Sequence, residues 1–260
     1  MTEHIRYETE AGMARIVLDR PDKKNALSTA MWRAIPPMIE RAAADEDVRV
    51  VILCSSTEAA FAAGADISEF EENYKTPQAA EATSGWIGNA VDAVETCAKP
   101  VLAAIEGICV GGGVSLAVAA DLRLAGEGAR FAVTPGKLGI LYSPADTRRL
   151  VRVVGVAAAK DLLFTGRMIE AEEAFRLRLV DRFCARGDAL AQALDLAETI
   201  SGVSQWSVRA TKEMIAGLGS GWEDDTEEAQ SLFLSGFSGE DFGEGFRAFL
   251  EKRKPTFPYR

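Results

Sequence analysis

The sequence is short of the residues that most often do acid–base work. It has one histidine in 260 residues, His4. A Ser-His-Asp or Cys-His nucleophile needs a central imidazole and histidine-ligated metal sites usually need more than one, so both classes are set aside and no metal site is expected. Acid–base chemistry then falls to carboxylates, tyrosine, lysine or water. The four cysteines, Cys54, Cys97, Cys109 and Cys184, are widely spaced and form no CxxC, which reads as buried reduced thiols. Cations are outnumbered, 29 Lys and Arg against 39 Asp and Glu, giving a formal charge of −10 that disfavours nucleic acid or an anionic membrane as a partner. Long hydrophobic runs are absent too: the most apolar stretch, 101–120, is interrupted by Glu106 and four glycines. With no spanning segment and no apolar signal core in residues 1–8, a cytoplasmic protein is expected.

What is present can build one large core, or one core plus a smaller helical lobe, since 48% of the chain is apolar. Residues 5–9 and 13–18 alternate polar with apolar across Ala11-Gly12, predicting a β-hairpin. Ser28 is placed to cap a helix reaching residue 44, which Pro36-Pro37 should kink or split. Strands are predicted over 48–54, 101–105, 121–125 and 131–133, a small-residue loop over 61–67, and helices over 77–97 and 114–120. Strands alternating with helices predict an α/β fold with a largely parallel sheet. Further on, 157–165, 170–178, 188–200, 208–218, 226–233 and 242–252 have the spacing of amphipathic helices, with a Gly/Ser loop over 217–221.

The run Gly111-Gly112-Gly113-Val114-Ser115 follows an apolar strand and opens an apolar helix. Glycines let a ligand approach the backbone, and a helix start supplies unsatisfied N–H groups and positive dipole charge. Nucleotide-binding spacings fail here. The dinucleotide fingerprint requires glycine or alanine where Leu116 stands, and a P-loop read from Gly107 puts Gly113 and Val114 where lysine and Ser/Thr belong.

Further residues set this run in a larger pattern. Arg20-Pro21 with Asn25-Ala26-Leu27, then Phe61-Ala62-Ala63-Gly64-Ala65-Asp66-Ile67, Lys99-Pro100-Val101, Gly107, Asp121-Leu122-Arg123, Lys137-Leu138-Gly139-Ile140 and Glu251-Lys252-Arg253-Lys254-Pro255 follow in order. The pattern resembles the enoyl-CoA hydratase/isomerase (crotonase) family over nearly the whole chain. The resemblance implies a spiral of ββα units over residues 1–195. It also implies a helical region over 196–260 that builds a homotrimer or a dimer of trimers. It implies acyl-CoA thioesters as substrates, with coenzyme A as part of the substrate and no separate cofactor, and an enolate held by two backbone N–H groups. Those donors map to Ala65 and Gly112, and such preorganised donors are worth about 3–4 kcal/mol each. Ala26, Ala62, Ala63, Asp66 and Ile67 fall in the segments expected to meet coenzyme A, and Lys23 or Lys24 stands ready for its phosphates.

In members that hydrate an enoyl-CoA, two glutamates hold and activate the water. Their positions here are Ser115 and Pro135, and neither offers a general base near neutral pH. Three groups are candidates to act instead. Tyr142 matches a tyrosine of the family's methylmalonyl-CoA decarboxylase type, although that type carries a histidine where this chain has Ala65. Asp146 lies near an aspartate other members use, yet Ser143-Pro144-Ala145-Asp146 also reads as a helix cap. Asp66 reads as loop-orienting, Glu69 as a solvated helix residue and Glu106 as a turn residue. The expected activity is that of an acyl-CoA lyase or isomerase, with decarboxylation, isomerisation and non-catalytic acyl-CoA binding open as alternatives to hydration.

Overall fold

The computed structural model describes residues 3–259. Strands β1 (Ile5–Glu10) and β2 (Met13–Leu18) form the expected antiparallel hairpin. Helix α1 (Thr29–Ala44) starts on Ser28, whose hydroxyl accepts from Met31 N at 3.3 Å. The helix is not split at Pro36-Pro37. One face, with Met31, Trp32, Ile35, Met38, Ile39 and Ala42, is buried, and that packing outweighs the two missing N–H donors.

Next come β3 (Val50–Ser55), β4 (Ala60–Ala62), α2 (Phe70–Asn73), α3 (Pro77–Thr96), β5 (Val101–Ile105), β6 (Ile108–Val110), α4 (Gly112–Ala119), β7 (Leu122–Gly126) and β8 (Arg130–Ala132). The strands sort into two sheets. Together with β10 (Arg182–Cys184), the larger has the order β1-β2-β3-β5-β7-β10, parallel except for the first pair. With β9 (Ile169–Glu170), the smaller has the order β4-β6-β8-β9. Each of β3/β4, β5/β6 and β7/β8 therefore gives one strand to each sheet, which is the expected ββα spiral. The loop expected over 61–67 begins as strand β4, whose three buried residues are too few to show a period of two.

Burial on both sides explains why β3 and β5 read as continuous apolar runs. Val51, Leu53, Val101, Ala103 and Ile105 face the main core, while Val50, Ile52, Leu102 and Ala104 face a second layer. That layer is closed by α7 (Ala189–Ser201) through Ala189, Ala193, Leu196 and Ala197. Glu106 is not a plain turn residue. Its buried carboxylate accepts from Ala189 N at 3.1 Å, capping α7, and Gly126 leaves room for it, since a Cβ there would lie 2.2 Å from that carboxylate. Lys99 is likewise buried; its ammonium caps the C-terminus of α1 by donating to Ala42 O at 2.8 Å and to Asp45 O.

Helix α5 (Pro144–Thr165) breaks at Gly155, whose φ of +77° separates the two helical stretches that the sequence suggested. After α6 (Ala171–Arg176) and α7, the chain ends in α8 (Gln205–Ser220), α9 (Glu227–Ser235) and α10 (Glu240–Glu251). The Gly/Ser stretch expected as a loop is instead the last turn of α8, where Gly217 makes room for Trp222. Phe233, Phe237, Phe242 and Phe246 form a partly exposed ladder there, with successive centroids 5.4, 5.7 and 6.4 Å apart. All four cysteines are free and buried, as expected, and burial pushes the Cys54 thiol up to about 11.

Candidate active site

Two loops from successive coils of the spiral meet where the sequence placed the backbone donors. The first leaves β4 through Ala63, Gly64 and Ala65, and the second leaves β6 through Gly111 into α4. Gly64 has φ +102°, and a Cβ there would stand 3.2 Å from Val110 O and 3.9 Å from Gly112 N. The two loops are therefore in contact. Gly64 and Ala65 are held by a parallel bridge to the 24–27 segment: Leu27 N donates to Gly64 O at 2.7 Å, and Asp66 N donates to Leu27 O at 3.0 Å. Gly112, the first residue of α4, has no carbonyl one turn earlier in the helix to accept its N–H. Both amides thus sit in a setting built of small residues, and that of Gly112 lies at a helix start, where negative charge is stabilised.

Behind this pair the packing is tight. Trp32, buried on α1, backs Gly112 so closely that a Cβ would lie 2.8 Å from its Cζ2. Ala62 is fully buried, and its carbonyl would lie 2.6 Å from a Cβ on Gly113. Ala62 therefore floors the glycine run and has no surface to offer a ligand, whereas Ala63 is half-buried and Ile67 is exposed.

The 20–27 loop owes its course to Asn25, a wholly buried residue with φ +54°. Its amide donates to Ser55 Oγ at 3.0 Å and to Ala60 O at 2.8 Å, and its carbonyl accepts from Arg20 N at 2.7 Å. Arg20 in turn pairs with Asp66 at 2.6 Å. Burial alone would raise the Asp66 carboxyl, but hydrogen bonds from Ser68 and Arg20 hold it below the usual range. Asp66 is thus loop-orienting, as the sequence suggested. Lys23 and Lys24 are exposed on this loop and Ala26 is half-buried. Glu69, expected to be solvated, instead accepts from Thr29 N and Thr29 Oγ1, both at 2.7 Å, at the start of α1. We expect Asn25→Ala, which strands these buried groups, to cost about 1–3 kcal/mol in urea unfolding.

Ser115 lies in the first turn of α4, and Tyr142 reaches it from the segment before α5. Their hydroxyls are 2.7 Å apart, and both side chains are buried. Tyr142 also reaches Gly111 O at 3.5 Å, next to the donor loop. Burial pushes the Tyr142 phenol well above its ordinary value, with the Asp146 carboxylate adding to the effect, so it stays neutral. Such a pair orients an acceptor or donates a hydrogen bond; it does not abstract a proton. Pro135 begins a short 3-10 turn, and its neighbour Thr134 approaches Gly111.

Asp146 is bound into the scaffold. Ser143 Oγ accepts from Asp146 N at 3.0 Å and donates to Asp146 Oδ2 at 2.9 Å, forming the cap read from the sequence. The other oxygen, Oδ1, accepts from Arg149 Nη1 at 3.2 Å. Arg149, 3% exposed, also binds Glu95 at 2.6 Å and Asp92, tying α5 to α3. Among the described residues no group of His, Cys, Asp and Glu has the arrangement of a metal site. No described helix is long and apolar enough to cross a membrane.

Trp32 and Arg149 were missed in the sequence. The first looked like any apolar position of α1, and the second like one basic residue of a polar run; only the spacing of Trp32 four residues after the Ser28 cap hinted at an inward face.

With this geometry in hand, comparison with known proteins is informative. The family model for enoyl-CoA hydratase/isomerase matches residues 8–260. A solved enoyl-CoA hydratase/isomerase family protein from Hyphomonas neptunium is 57% identical, with TM-score 0.97, covering 99% of this chain and 98% of that one. An enoyl-CoA hydratase from Bacillus anthracis superposes with TM-score 0.90 at 31% identity, covering 99% of this chain and 100% of that one. A crotonyl-CoA hydratase from Syntrophomonas wolfei is 35% identical over 260 residues, 98% of each chain.

Proposed function

Because the chain belongs to the enoyl-CoA hydratase/isomerase family, we propose that it binds an acyl-CoA thioester with the carbonyl oxygen between the N–H groups of Ala65 and Gly112. Charge growing on that oxygen as an enolate forms is met by donors already fixed in place, so the stabilisation is greater in the transition state than in the ground state. Lys23 and Lys24, exposed on the loop beside the first donor, suit the phosphates of coenzyme A.

The reaction favoured is decarboxylation of a malonyl-type thioester. Its C–C bond breaks, CO2 leaves, and the electron pair passes into the thioester as an enolate; the α-carbon then takes a proton delivered by water. No general base is required to start it. The observation that carries this reading is the 2.7 Å Ser115–Tyr142 pair, which puts two neutral hydroxyls at and beside the first of the two positions where hydration calls for a carboxylate. In this reading Tyr142 would hold the departing carboxylate out of the thioester plane. Asp146 is a weaker candidate for the acid–base role of an isomerase, because both its oxygens are engaged.

Similarity to a crotonyl-CoA hydratase favours hydration as the second reading. Incubation with methylmalonyl-CoA and crotonyl-CoA separates them: CO2 release is expected to exceed loss of the enoyl absorbance. Efficient hydration of crotonyl-CoA without CO2 release would overturn the decarboxylase reading. Coenzyme A binding with no turnover of either would leave an acyl-CoA-binding protein. The exposed phenylalanines of α9, α10 and the turn between them offer an apolar surface to a second copy of the chain, and in this reading the C-terminal helices build a homotrimer or dimer of trimers.

A further inference from the structure

Five buried side-chain polar atoms among the described residues have no hydrogen-bond partner, and four of them belong to one neighbourhood: Ser201 Oγ, Gln205 Oε1, and Arg209 Nε and Nη2. Ser201 and Gln205 line a groove of about 280 Å³ between the α7–α8 junction and the chain at 254–259. Arg209 lies one turn beyond Gln205 on α8, with its guanidinium 5.1 Å from the ring centroid of Tyr259, another groove residue. A buried donor or acceptor left unmatched is costly, so such a concentration calls for a molecule that matches it.

Gln205 fixes the polarity of the groove. The residue is 1% exposed, and its Nε2 donates to Ile200 O at 2.9 Å and to Val203 O at 3.0 Å. Turning the amide over would set Oε1 against two carbonyl oxygens, so Oε1 remains as the bare acceptor. Arg209 offers two N–H donors and a positive charge. Arg49, held by donation from Nη1 to Ser201 O at 2.8 Å, and Lys254 are the two cations of the lining, which includes no aspartate or glutamate, and Arg209 stands behind it against Tyr259. In a chain of net charge −10 that composition selects an anion.

We propose that this groove binds a small phosphomonoester. Its phosphate oxygens would accept from Arg209 and Ser201 in the field of Arg49 and Lys254, while a hydroxyl of the same molecule donates to Gln205 Oε1. A zwitterion of amino-acid type fits less well, because its ammonium would enter a wall of cations. The groove is separate from the candidate active site. Arg49 precedes the first residue of β3, whereas Asn25 anchors the donor loop beside Ser55, the last residue of that strand.

Calorimetry on the full chain with ribose 5-phosphate and with inorganic phosphate tests the assignment. Ribose 5-phosphate is expected to bind in the millimolar range or tighter, and Arg209→Met or Gln205→Leu to weaken it about tenfold or more. Lys254→Ala, at an exposed position that leaves the fold intact, should weaken it by a smaller factor. Lys24→Ala, on the loop suited to coenzyme A phosphates, should not change it. Inorganic phosphate binding as tightly, with the same response to the variants, would support the anion site and name free phosphate as its ligand. Absence of binding by both probes, or binding lost with Lys24→Ala and indifferent to Lys254→Ala, would overturn the proposal.

Discussion

Gly112→Pro is expected to lower kcat about 10²–10³-fold relative to Gly112→Ala, on whichever thioester the protein turns over, with KM much less affected. A main-chain donor cannot be removed by changing a side chain, except by proline, which has no N–H. Gly112 is the first residue of α4, the helix position where proline is best tolerated, so the helix itself should survive. Steric load is the complication, since any Cβ at 112 meets Trp32 at 2.8 Å. Both substitutions are therefore compared in a Trp32→Leu background, which relieves the contact equally for each. The alanine variant keeps the donor and the added carbon; only the proline variant loses the N–H. Equal kcat values for the two would show that Gly112 does not serve the reacting oxygen.

Arg149→Met is expected to destabilise the fold by about 3–5 kcal/mol in urea unfolding. The guanidinium is almost wholly removed from solvent and faces carboxylates on two helices. Those partners are not equivalent. Asp92 and Glu95 reach water and can be solvated when the arginine goes, so they account for little of the loss. Asp146 has a side chain only 7% exposed, and it would be left as a buried charge with Ser143 as its remaining side-chain partner. Adding Asp146→Asn to Arg149→Met should recover a good part of the deficit, because the stranded charge is then gone. A loss below about 1 kcal/mol for the single variant would mean that the network is no more than a surface ion pair.

Local signals made the largely parallel α/β sheet and the glycine turn into α4 legible, as apolar runs and as glycines where the backbone must turn or be approached, while the spiral and the pairing of the Ala65 and Gly112 loops came from the resemblance to the family. Ser115 and Pro135 were equally visible, as departures from a recognisable pattern. Strands β6, β9 and β10 escaped notice, because two or three residues cannot display a period. Glu69 and Glu106 were misjudged for another reason. Each caps a helix far along the chain, Glu69 at Thr29 and Glu106 at Ala189, so nothing in its own neighbourhood announces the partner. The Ser115–Tyr142 contact, 27 residues apart, had the same character: each residue was singled out, but their meeting was not foreseen.

On the proposed reading, one donor loop follows β4 and the other follows β6, so the anion-holding half of the site would be written in main chain and in the winding of the spiral. In the same reading, the choice of reaction rests on the side chains at 115, 135 and 142, which the winding does not depend on. The two halves can then be inherited separately. A lineage with this architecture can trade one reaction for another through a few substitutions at those positions while its grip on the thioester oxygen stays the same, so reaction type will diverge faster than fold or ligand class.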